Sequence, residues 1–336
     1  MMKHVDVVIV GAGISGLMAA STIMDNSNAS VQIIDKGQSP GGRLATRRIA
    51  GGYFDHGAQF ITANSGNFQA IIESWLIKGW ITTWNSKDRP RYAAVGGMSQ
   101  LAKRLAYRQP LDCSTVVERI SLLDGDYIVQ ARNTSTNTSQ QWTAKSVLLT
   151  CPIPQMFPIL ESGDISIASD INSLLHKVKY KPCLAVLVCM GETKGFPLVG
   201  NMREPFPGMI SWIAENRSKG ISEVPSWTIH LDSDWSESHF NDTDDDIWNY
   251  VLPYIKNIQG GTHTLEELEY QIKRWRFAKA HQLISEPYLD IGNGAPLLLS
   301  GDAFGLCYLS GNSGGKVENA ALSGIAAGHY LAKIVE

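Results

Sequence analysis

The chain has 336 residues, of which 44% are hydrophobic and 18% are charged, values typical of a globular enzyme with one large or two joined domains. Its formal net charge is −3, so no electrostatic argument favours nucleic acid or an anionic membrane as a partner. Its 5 cysteines form no Cys-x-x-Cys pair, a pattern that gives no metal or disulfide framework and favours a reducing, cytoplasmic location. No apolar stretch approaches membrane-spanning length, and we expect no stable membrane association.

An apolar, β-type run over residues 5–10 leads directly into a glycine-rich turn. Three glycines at G-x-G-x-x-G spacing form this turn: Gly11, Gly13 and Gly16. A predicted helix over 15–26 and a second apolar run over 31–35 follow, and the second run ends in Asp35. Strand, glycine turn, helix, strand and acid in this order are the fingerprint of a dinucleotide-binding fold. The alternative is a glycine-rich turn without a ligand.

Each part of the fingerprint has a physical role. Gly11 makes the tight turn out of the strand, Gly13 lets a pyrophosphate approach the backbone, and Gly16 lets the helix pack closely on the sheet. The helix N-terminus offers free N–H groups and a partial positive charge to the phosphates, and Asp35 can accept hydrogen bonds from ribose hydroxyls. Neighbouring residues of the same loops complete the expected contacts: Ile14, Ser15 and Lys36.

A second glycine loop and several short elements follow the fingerprint. The loop contains Gly41, Gly42 and Arg43, and its arginine can reach a phosphate or lie near a flavin ring. Apolar spacing predicts helices over 67–79 and 98–107. Three strand-like runs fill residues 113–150, and the polar loop between the last two predicts a hairpin.

The middle of the chain, roughly residues 155–290, has weaker periodicity. Its strand candidates are 183–190, 209–214 and 226–232, and a helix is expected over 244–257. Acidic residues cluster at the start of this helix: Asp242, Asp244, Asp245 and Asp246. Such a run could bind a cation, but acids favoured by the dipole at a helix N-terminus are the preferred interpretation.

The C-terminal part returns to nucleotide-type chemistry. A buried strand leads into Gly301 and Asp302, and an acid there can bind a polyol such as the ribityl chain of FAD. A turn at Gly315, followed by Lys316 and Val317, can direct backbone N–H groups at the flavin pyrimidine. Small residues on one side of the final helix permit close packing on another helix or on a cofactor. Together with the second glycine loop, these features favour FAD over NAD alone.

Nucleotide-type signals at both ends of the chain predict a discontinuous α/β fold. We expect a Rossmann-type FAD-binding domain formed by residues 1–62, 92–155 and 292–336, with an α+β substrate domain inserted as residues 63–91 and 156–291. No Ser-His-Asp arrangement, paired metal ligands or catalytic dyad is evident. A site built from a flavin and aromatic side chains would need none of them.

Several motifs together resemble the flavin amine oxidase superfamily, and the closer match is to its renalase-like branch, especially the bacterial members. The motifs span nearly the whole chain: GGRLATRR (41–48), YFDHGAQFIT (53–62), AVGGMSQLAKRLA (94–106), LLTCPIPQ (148–155), RWRFAKA (274–280) and SGDAFG with GGKVENAALSG (300–324). The resemblance implies a fold like that of p-hydroxybenzoate hydroxylase, with non-covalent FAD. It also implies oxidation of the 2- and 6-dihydro isomers of NAD(P)H, by hydride transfer to the flavin, with O2 reduced to H2O2.

The resemblance also indicates pocket residues in the middle region. Asn216 and His230 could hydrogen-bond the carboxamide or ring edge of the substrate, and Trp275 could form a wall. Each has a structural alternative: a turn residue, a core histidine and a core tryptophan. Gln59 and Tyr308 are weaker candidates near the flavin. Cys307 precedes the double glycine at 314–315 instead of following it, which argues against a covalent flavin thioether.

Two other classes of function remain open from the sequence. One is a true amine oxidase or desaturase, which would need an aromatic cage or an apolar tunnel around a C–N or C–C bond. The other is a flavin-binding protein with a sensing or interaction role and no efficient turnover. The expected partners are a small dinucleotide substrate and O2, with no nucleic acid, and the chain is expected to be a monomer or homodimer.

Overall fold

The computed structural model describes residues 3–84, 90–190, 200–258, 268–305 and 316–335. Its strands are β1 (Lys3–Val10), β2 (Val31–Ile34), β3 (Thr46–Ile49), β4 (Gly52–Asp55), β5 (Ile81–Thr83), β6 (Tyr92–Ala94), β7 (Leu111–Asp112), β8 (Thr115–Leu123), β9 (Asp126–Asn133), β10 (Thr138–Leu149), β11 (Lys179–Cys189), β12 (Asn201–Phe206), β13 (Ile210–Glu215), β14 (Ser226–Leu231), β15 (Tyr270–His281), β16 (Leu289–Asp290) and β17 (Leu297–Leu299). Its helices are α1 (Ile14–Asn26), α2 (Gly66–Ile77), α3 (Met98–Leu105), α4 (Ile153–Glu161), α5 (Ser169–Lys177), α6 (Ser233–Ser238), α7 (Asp244–Ile258) and α8 (Lys316–Ile334). None of the helices in these ranges is long and apolar enough to cross a bilayer.

The larger sheet has 8 strands, and its main path runs β16-β17-β10-β1-β2-β7. β1 lies parallel to both β10 and β2, and β10 lies parallel to β17. Both faces of β1 are buried: Val7 and Ile9 pack with α1, α2, α3 and α8, while Val8 and Val10 pack with α4 and α5. Burial on both faces explains why this strand reads as a continuous apolar run. The predicted α/β class, with a Rossmann-type domain, is confirmed.

The final helix packs closely on the first helix, as its small residues predicted. A Cβ atom added to Gly324 would lie 2.1 Å from the Ser15 carbonyl oxygen, and one added to Gly328 would lie 2.8 Å from the Ala19 carbonyl oxygen. The hydroxyls of Ser15 and Ser300 share a buried hydrogen bond of 2.9 Å. The last segment of the chain therefore closes the nucleotide-type domain around α1.

The smaller sheet has 5 antiparallel strands in the order β12-β13-β14-β11-β15. One face packs on α7 through apolar side chains such as Trp227, Ile229 and Ile247. The opposite face carries His230, because side chains alternate along a strand. Trp212 and Ala185 pair with His230 across β13 and β11, so these three residues share that face. This face is the side of the sheet that meets the β4–α2 segment.

Two segments assigned to the substrate domain pack on the larger sheet. Phe68, Ile72 and Trp75 of α2 belong to the core beside α1, and Met156 and Leu175, from α4 and α5, belong to the core on the other face. The domain division remains a proposal. The packing favours boundaries in which α2, α4 and α5 belong to the cofactor-binding part.

The acidic run at residues 242–246 begins α7. The Thr243 hydroxyl accepts a hydrogen bond from the Asp246 backbone N–H at 3.1 Å, which is an N-terminal cap. Asp244 pairs with Arg274 of β15. The helix-start interpretation is confirmed.

Candidate active site

The turn between β1 and α1 forms a cradle for a phosphate. Gly11 has a φ of +113°, a conformation that glycine adopts without strain. A Cβ atom at Gly16 would lie 2.0 Å from the Gly11 carbonyl oxygen, whereas a Cβ at Gly13 would have no atom within 4 Å. The first α1 N–H groups have no side-chain cap. Open space above Gly13 and uncapped donors fit the pyrophosphate of a dinucleotide.

Asp35 lies directly beside this cradle. Its carboxylate accepts hydrogen bonds from the backbone N–H groups of Ala12 and Gly37, both at 2.6 Å. Burial raises the pKa of Asp35, and the two backbone donors oppose that rise. The carboxylate is fixed at the end of β2 and keeps acceptor capacity for ribose hydroxyls. Lys36 donates to the side-chain oxygen of Gln155 at 3.0 Å at an exposed position.

Arg43 and Asp302 form a two-pronged ion pair. The two guanidinium nitrogens donate to the two carboxylate oxygens at 2.6 Å each. Asp302 has a 4% exposed side chain and Arg43 has a 29% exposed one. Gly301 immediately before Asp302 has a φ of +145°. The two residues expected at the phosphate and ribityl positions are therefore in contact, 259 positions apart in sequence.

A continuous set of contacts leads from the cradle to the smaller sheet. Gly41 donates its N–H to the Ala12 carbonyl at 2.8 Å, and a Cβ at Gly42 would lie 3.5 Å from the Gly13 Cα. The Ala58 N–H donates to the Arg43 carbonyl at 2.9 Å. This path carries the chain from the phosphate cradle to the loop after β4, where the candidate chemistry lies.

Three of the predicted residues meet around that loop. The side-chain nitrogens of Gln59 and His230 lie 3.3 Å apart. Trp275 donates its indole N–H to the His56 carbonyl at 2.8 Å and stacks on the His56 ring at a centroid distance of 5.3 Å. We refer to His56, Gln59, His230 and Trp275 as the imidazole cluster. His56 was not singled out from the sequence, although it lies in the DHGAQFIT motif.

The imidazoles of this cluster are neutral at pH 7. Burial lowers the pKa of His56 to about 4, with Lys273 and Arg47 as further causes. Burial also lowers the pKa of His230 to about 4. A neutral imidazole offers one donor and one acceptor. The cluster can therefore hydrogen-bond a carboxamide or a ring edge without adding charge.

The depressed pKa values predict a loss of stability in mild acid. Between pH 6.5 and pH 4 these two histidines are protonated in the unfolded chain but still neutral in the folded protein. The free energy of unfolding therefore falls as the pH falls. The expected loss is on the order of 3 kcal/mol for each histidine. Urea unfolding at pH 7 and pH 4.5 measures it. His230→Gln should flatten the dependence, and an unchanged slope in this variant would contradict the prediction.

Asn216 lies deeper in the smaller sheet. Its side chain is fully buried, and its amide donates to the Ser226 carbonyl at 3.2 Å and to the Thr228 hydroxyl at 3.0 Å. Thr228 is two positions from His230 on the same face of β14. The bonds of Asn216 are thus within the sheet instead of in the imidazole cluster, and its predicted role at the substrate stays a prediction.

A buried ion pair lies beneath the loop after β4. Lys219 donates to Asp55 at 2.6 Å, and both side chains are 0% exposed. Asp55 also accepts from the Thr46 hydroxyl at 2.6 Å and from the Met98 N–H at 2.8 Å, and its carbonyl accepts from Gln59. Burial lowers the pKa of Lys219, while Asp55 opposes the shift. The pair joins the β13–β14 turn to the loop that carries His56 and Gln59.

An aromatic wall borders this ion pair. Phe60 lies 5.3 Å from Trp212 and 6.3 Å from Trp84, measured between ring centroids. The Arg91 guanidinium lies 4.8 Å from the Phe60 centroid, and the Lys219 ammonium lies 5.4 Å from the Trp84 centroid. Two cations therefore already occupy the aromatic faces. Three distant segments contribute these rings, which is why the wall was not evident from the sequence.

Some buried polar atoms in the imidazole cluster and on the neighbouring strands have no hydrogen-bond partner among the described residues. The buried ones include His56 Nδ1, Gln59 Oε1, Asn216 Oδ1, Ser226 Oγ and Gln271 Oε1. Buried polar groups normally have partners. Acceptors and hydroxyls left unpaired on two facing elements fit a polar, ring-shaped ligand between them.

The remaining predicted residues lie at the start of α8 or in the preceding residues 306–315, which the structure does not describe. Val317 is buried in the core beside α1. Lys316 begins α8, and its side chain is outside the described part. The predictions for Gly315, Tyr308 and Cys307 also fall outside the described residues.

Comparison with known proteins identifies the family. The profile for flavin-containing amine oxidoreductases matches residues 73–329, and the profile for an NAD(P)-binding Rossmann-like domain matches residues 9–75. The chain belongs to the flavin-containing amine oxidoreductase family. FAD is its cofactor, and the residues around Gly13, Asp35 and Asp302 would hold it. Membership of the renalase-like branch remains a proposal.

Individual relatives agree with this assignment. A putrescine oxidase from Kocuria rosea is 27% identical over 129 residues, which are 36% of this chain and 25% of that protein. A structure of a putrescine oxidase bound to putrescine superposes with a TM-score of 0.72 at 13% identity, covering 100% of this chain and 99% of the other. A protein from Exiguobacterium sp. 255-15, provisionally assigned as a protoporphyrinogen oxidase, gives a TM-score of 0.72 at 14% identity, covering 99% and 100%. The structural matches share the fold.

Proposed function

We propose that this chain oxidises the 2- and 6-dihydro isomers of NAD(P)H to NAD(P)+. FAD, held non-covalently by the residues around Gly13, Asp35 and Asp302, would supply the chemistry of hydride acceptance and of onward two-electron transfer to O2. One dihydronicotinamide, one O2 and one proton then give one nicotinamide cation and one H2O2. The substrate loses hydride and releases no proton, so the protein needs no general base at the reacting carbon.

The charge distribution around the imidazole cluster carries this proposal. Asp55 and Asp302 are neutralised by Lys219 and Arg43. Arg47 and Lys273 act on His56 as positive charges. The described part of the site therefore presents neutral imidazoles and cations, which favour the anionic phosphates of a dinucleotide over an ammonium substrate.

The imidazole cluster has a defined task in this reaction. Trp275 and His56 stack and offer a flat, apolar surface against which a nicotinamide ring can lie. Gln59 and His230 can hydrogen-bond its carboxamide, because neutral imidazole and amide groups supply both donors and acceptors. These residues would orient the ring against the cofactor and exclude water, which supplies rate by positioning.

Amine oxidation is the second candidate. The identity to a putrescine oxidase over 129 residues supports it, as does the aromatic wall at Phe60, Trp84 and Trp212. Rings of this kind attract an ammonium group. Against it, Arg91 and Lys219 already lie over those faces, and a diamine would meet two further cations.

Anaerobic flavin reduction tests the proposal. The purified holoenzyme is mixed with 6-dihydro-NAD, ordinary NADH and a panel of amines, and bleaching of the flavin absorbance is followed. We expect fast bleaching by the 6-dihydro isomer alone. His230→Ala should slow it on the order of 100-fold, a typical effect of a lost positioning group. His239→Ala, on the far side of the sheet beside α7, serves as the matched control and should react like the wild type.

Each other outcome is informative. Bleaching by an amine and by neither nicotinamide would establish the second candidate. If the flavin stays oxidised with every compound, the catalytic proposal is wrong, and a flavin-binding protein without efficient turnover is favoured.

A further inference from the structure

The β3–β4 ribbon directs Arg47 and His56 to the same face. The His56 N–H donates to the Ala45 carbonyl at 3.0 Å, and Arg47 pairs with Phe54 two register positions further along, beyond the Thr46–Asp55 pair. Residues two apart on a strand share a face. Arg48 pairs with Tyr53 and lies on the opposite face, 5.6 Å from the Tyr53 ring centroid. Only the first of these two adjacent arginines is on the side of the imidazole cluster.

Lys273 reaches the same place from the smaller sheet. It lies two positions before Trp275 on β15, and both residues occupy the face that carries His230. Trp275 stacks on His56, and the charges of Lys273 and Arg47, which come from two different sheets, both lower the pKa of His56. Burial, followed by the charge of Arg47, lowers the pKa of Lys273, which agrees with the two cations being neighbours.

Neither cation has an ion-pair partner among the described residues. The nearby carboxylate of Asp244 is bound by Arg274, and Asp55 is bound by Lys219. Two like charges held side by side without a counterion repel each other. A phosphate between them removes this repulsion and gains charge-assisted hydrogen bonds.

We propose that Arg47 and Lys273 form a subsite for the pyrophosphate of the substrate, while the nicotinamide lies against His56 and Trp275. The subsite rests on the proposed function, because it assigns the phosphates of that same substrate. It predicts discrimination between nicotinamides with and without phosphate, a property of binding that is separate from hydride transfer.

Calorimetric titration of the holoenzyme tests the subsite without turnover. The probes are NAD+ and nicotinamide riboside, which share the nicotinamide and its ribose, whereas NAD+ also carries the pyrophosphate and an adenosine. In the wild type we expect NAD+ to bind at least about tenfold more tightly, as charge-assisted contacts imply, and this advantage should shrink as salt is raised. Arg47→Gln/Lys273→Met should abolish the advantage without changing riboside affinity or FAD content. Arg48→Gln, the matched control, should retain it.

The result can overturn the subsite separately from the reaction. Equal affinity for both probes in the wild type, or an undiminished NAD+ preference in the double variant, rejects the subsite whether or not the isomers bleach the flavin. Failure of the proposed reaction has a different signature, which is absence of flavin reduction by either dihydro isomer while NAD+ still binds more tightly than the riboside.

Discussion

Replacing Lys219 with methionine should lower the free energy of unfolding by about 3–5 kcal/mol, the usual cost of leaving one member of a buried ion pair alone. Both side chains of the Asp55–Lys219 pair are fully buried. In the variant, Asp55 keeps its bonds from the Thr46 hydroxyl and the Met98 N–H but loses its countercharge. Urea unfolding at pH 7 measures the change.

Two further variants show whether the cost comes from the unpaired buried charge. Lys181→Met removes an ion pair of the same 2.6 Å length whose side chains are 39% and 78% exposed, and it should cost less than about 1 kcal/mol. Asp55→Asn/Lys219→Met removes both charges and should recover much of the loss. A double variant as unstable as Lys219→Met would show that packing, not charge, explains the cost.

Gly13→Ala should abolish tight FAD binding while leaving the apoprotein folded. The backbone of Gly13 has φ −72° and ψ 177°, which alanine adopts without strain, and the added Cβ would meet no protein atom within 4 Å. The methyl group would instead fill the open space above Gly13, where the pyrophosphate of FAD is expected to bind. We expect FAD affinity to fall on the order of 100-fold, with apoprotein stability within about 1 kcal/mol of wild type.

Gly16→Ala provides the contrasting case. Its Cβ would lie 2.0 Å from the Gly11 carbonyl oxygen, so the backbone of the turn must move, at a cost of about 3 kcal/mol or more. Both FAD affinity and apoprotein stability should therefore fall. Flavin fluorescence titration and thermal unfolding of the two apoproteins separate the cases. Equal destabilisation by Gly13→Ala and Gly16→Ala would contradict the assignment of Gly13 to the phosphate.

Local physics made the nucleotide end of the fold predictable. The Gly11–Gly16 turn, its two flanking strands and Asp35 lie within one short stretch, so spacing alone specifies their geometry. The predicted helix over 15–26 corresponds to α1 at Ile14–Asn26. The small residues of α8, which end at Gly328, predicted that α8 packs closely on another element. The turn at Gly11 and the close contact at Gly16 are both possible because glycine has no side chain. The sequence shows directly where the glycines are.

Other features depend on contacts that no local pattern reveals. Lys219 and Asp55 are 164 positions apart, and each alone reads as an ordinary surface charge. β15 was not predicted as a strand because Lys273, Arg274 and Arg276 interrupt its apolar pattern, and it lies at the edge of its sheet. Edge strands tolerate such charges.

The candidate site was predictable in part, and by resemblance more than by physics. Gln59, His230 and Trp275 were named from motifs shared with a family, and the structure brings them together around His56. Asn216 was named on the same grounds, but it bonds within its own sheet. Motif similarity identifies which residues matter without specifying which of them share a cavity.

The bond between Ser15 and Ser300 spans 285 positions and has a consequence for synthesis. A ribosome adds about 5–20 residues per second, so the first glycine turn is complete on the order of 15–60 s before the strand and helix that enclose it. β1 lacks its neighbour β10 until residue 149 has been added, and β10 in turn lacks β17 for almost the whole interval, so the nascent chain exposes an apolar strand with an unpaired edge. The segments that enclose the first glycine turn are therefore made late, and we expect production in cells to depend on how well the unfinished chain is kept from aggregating.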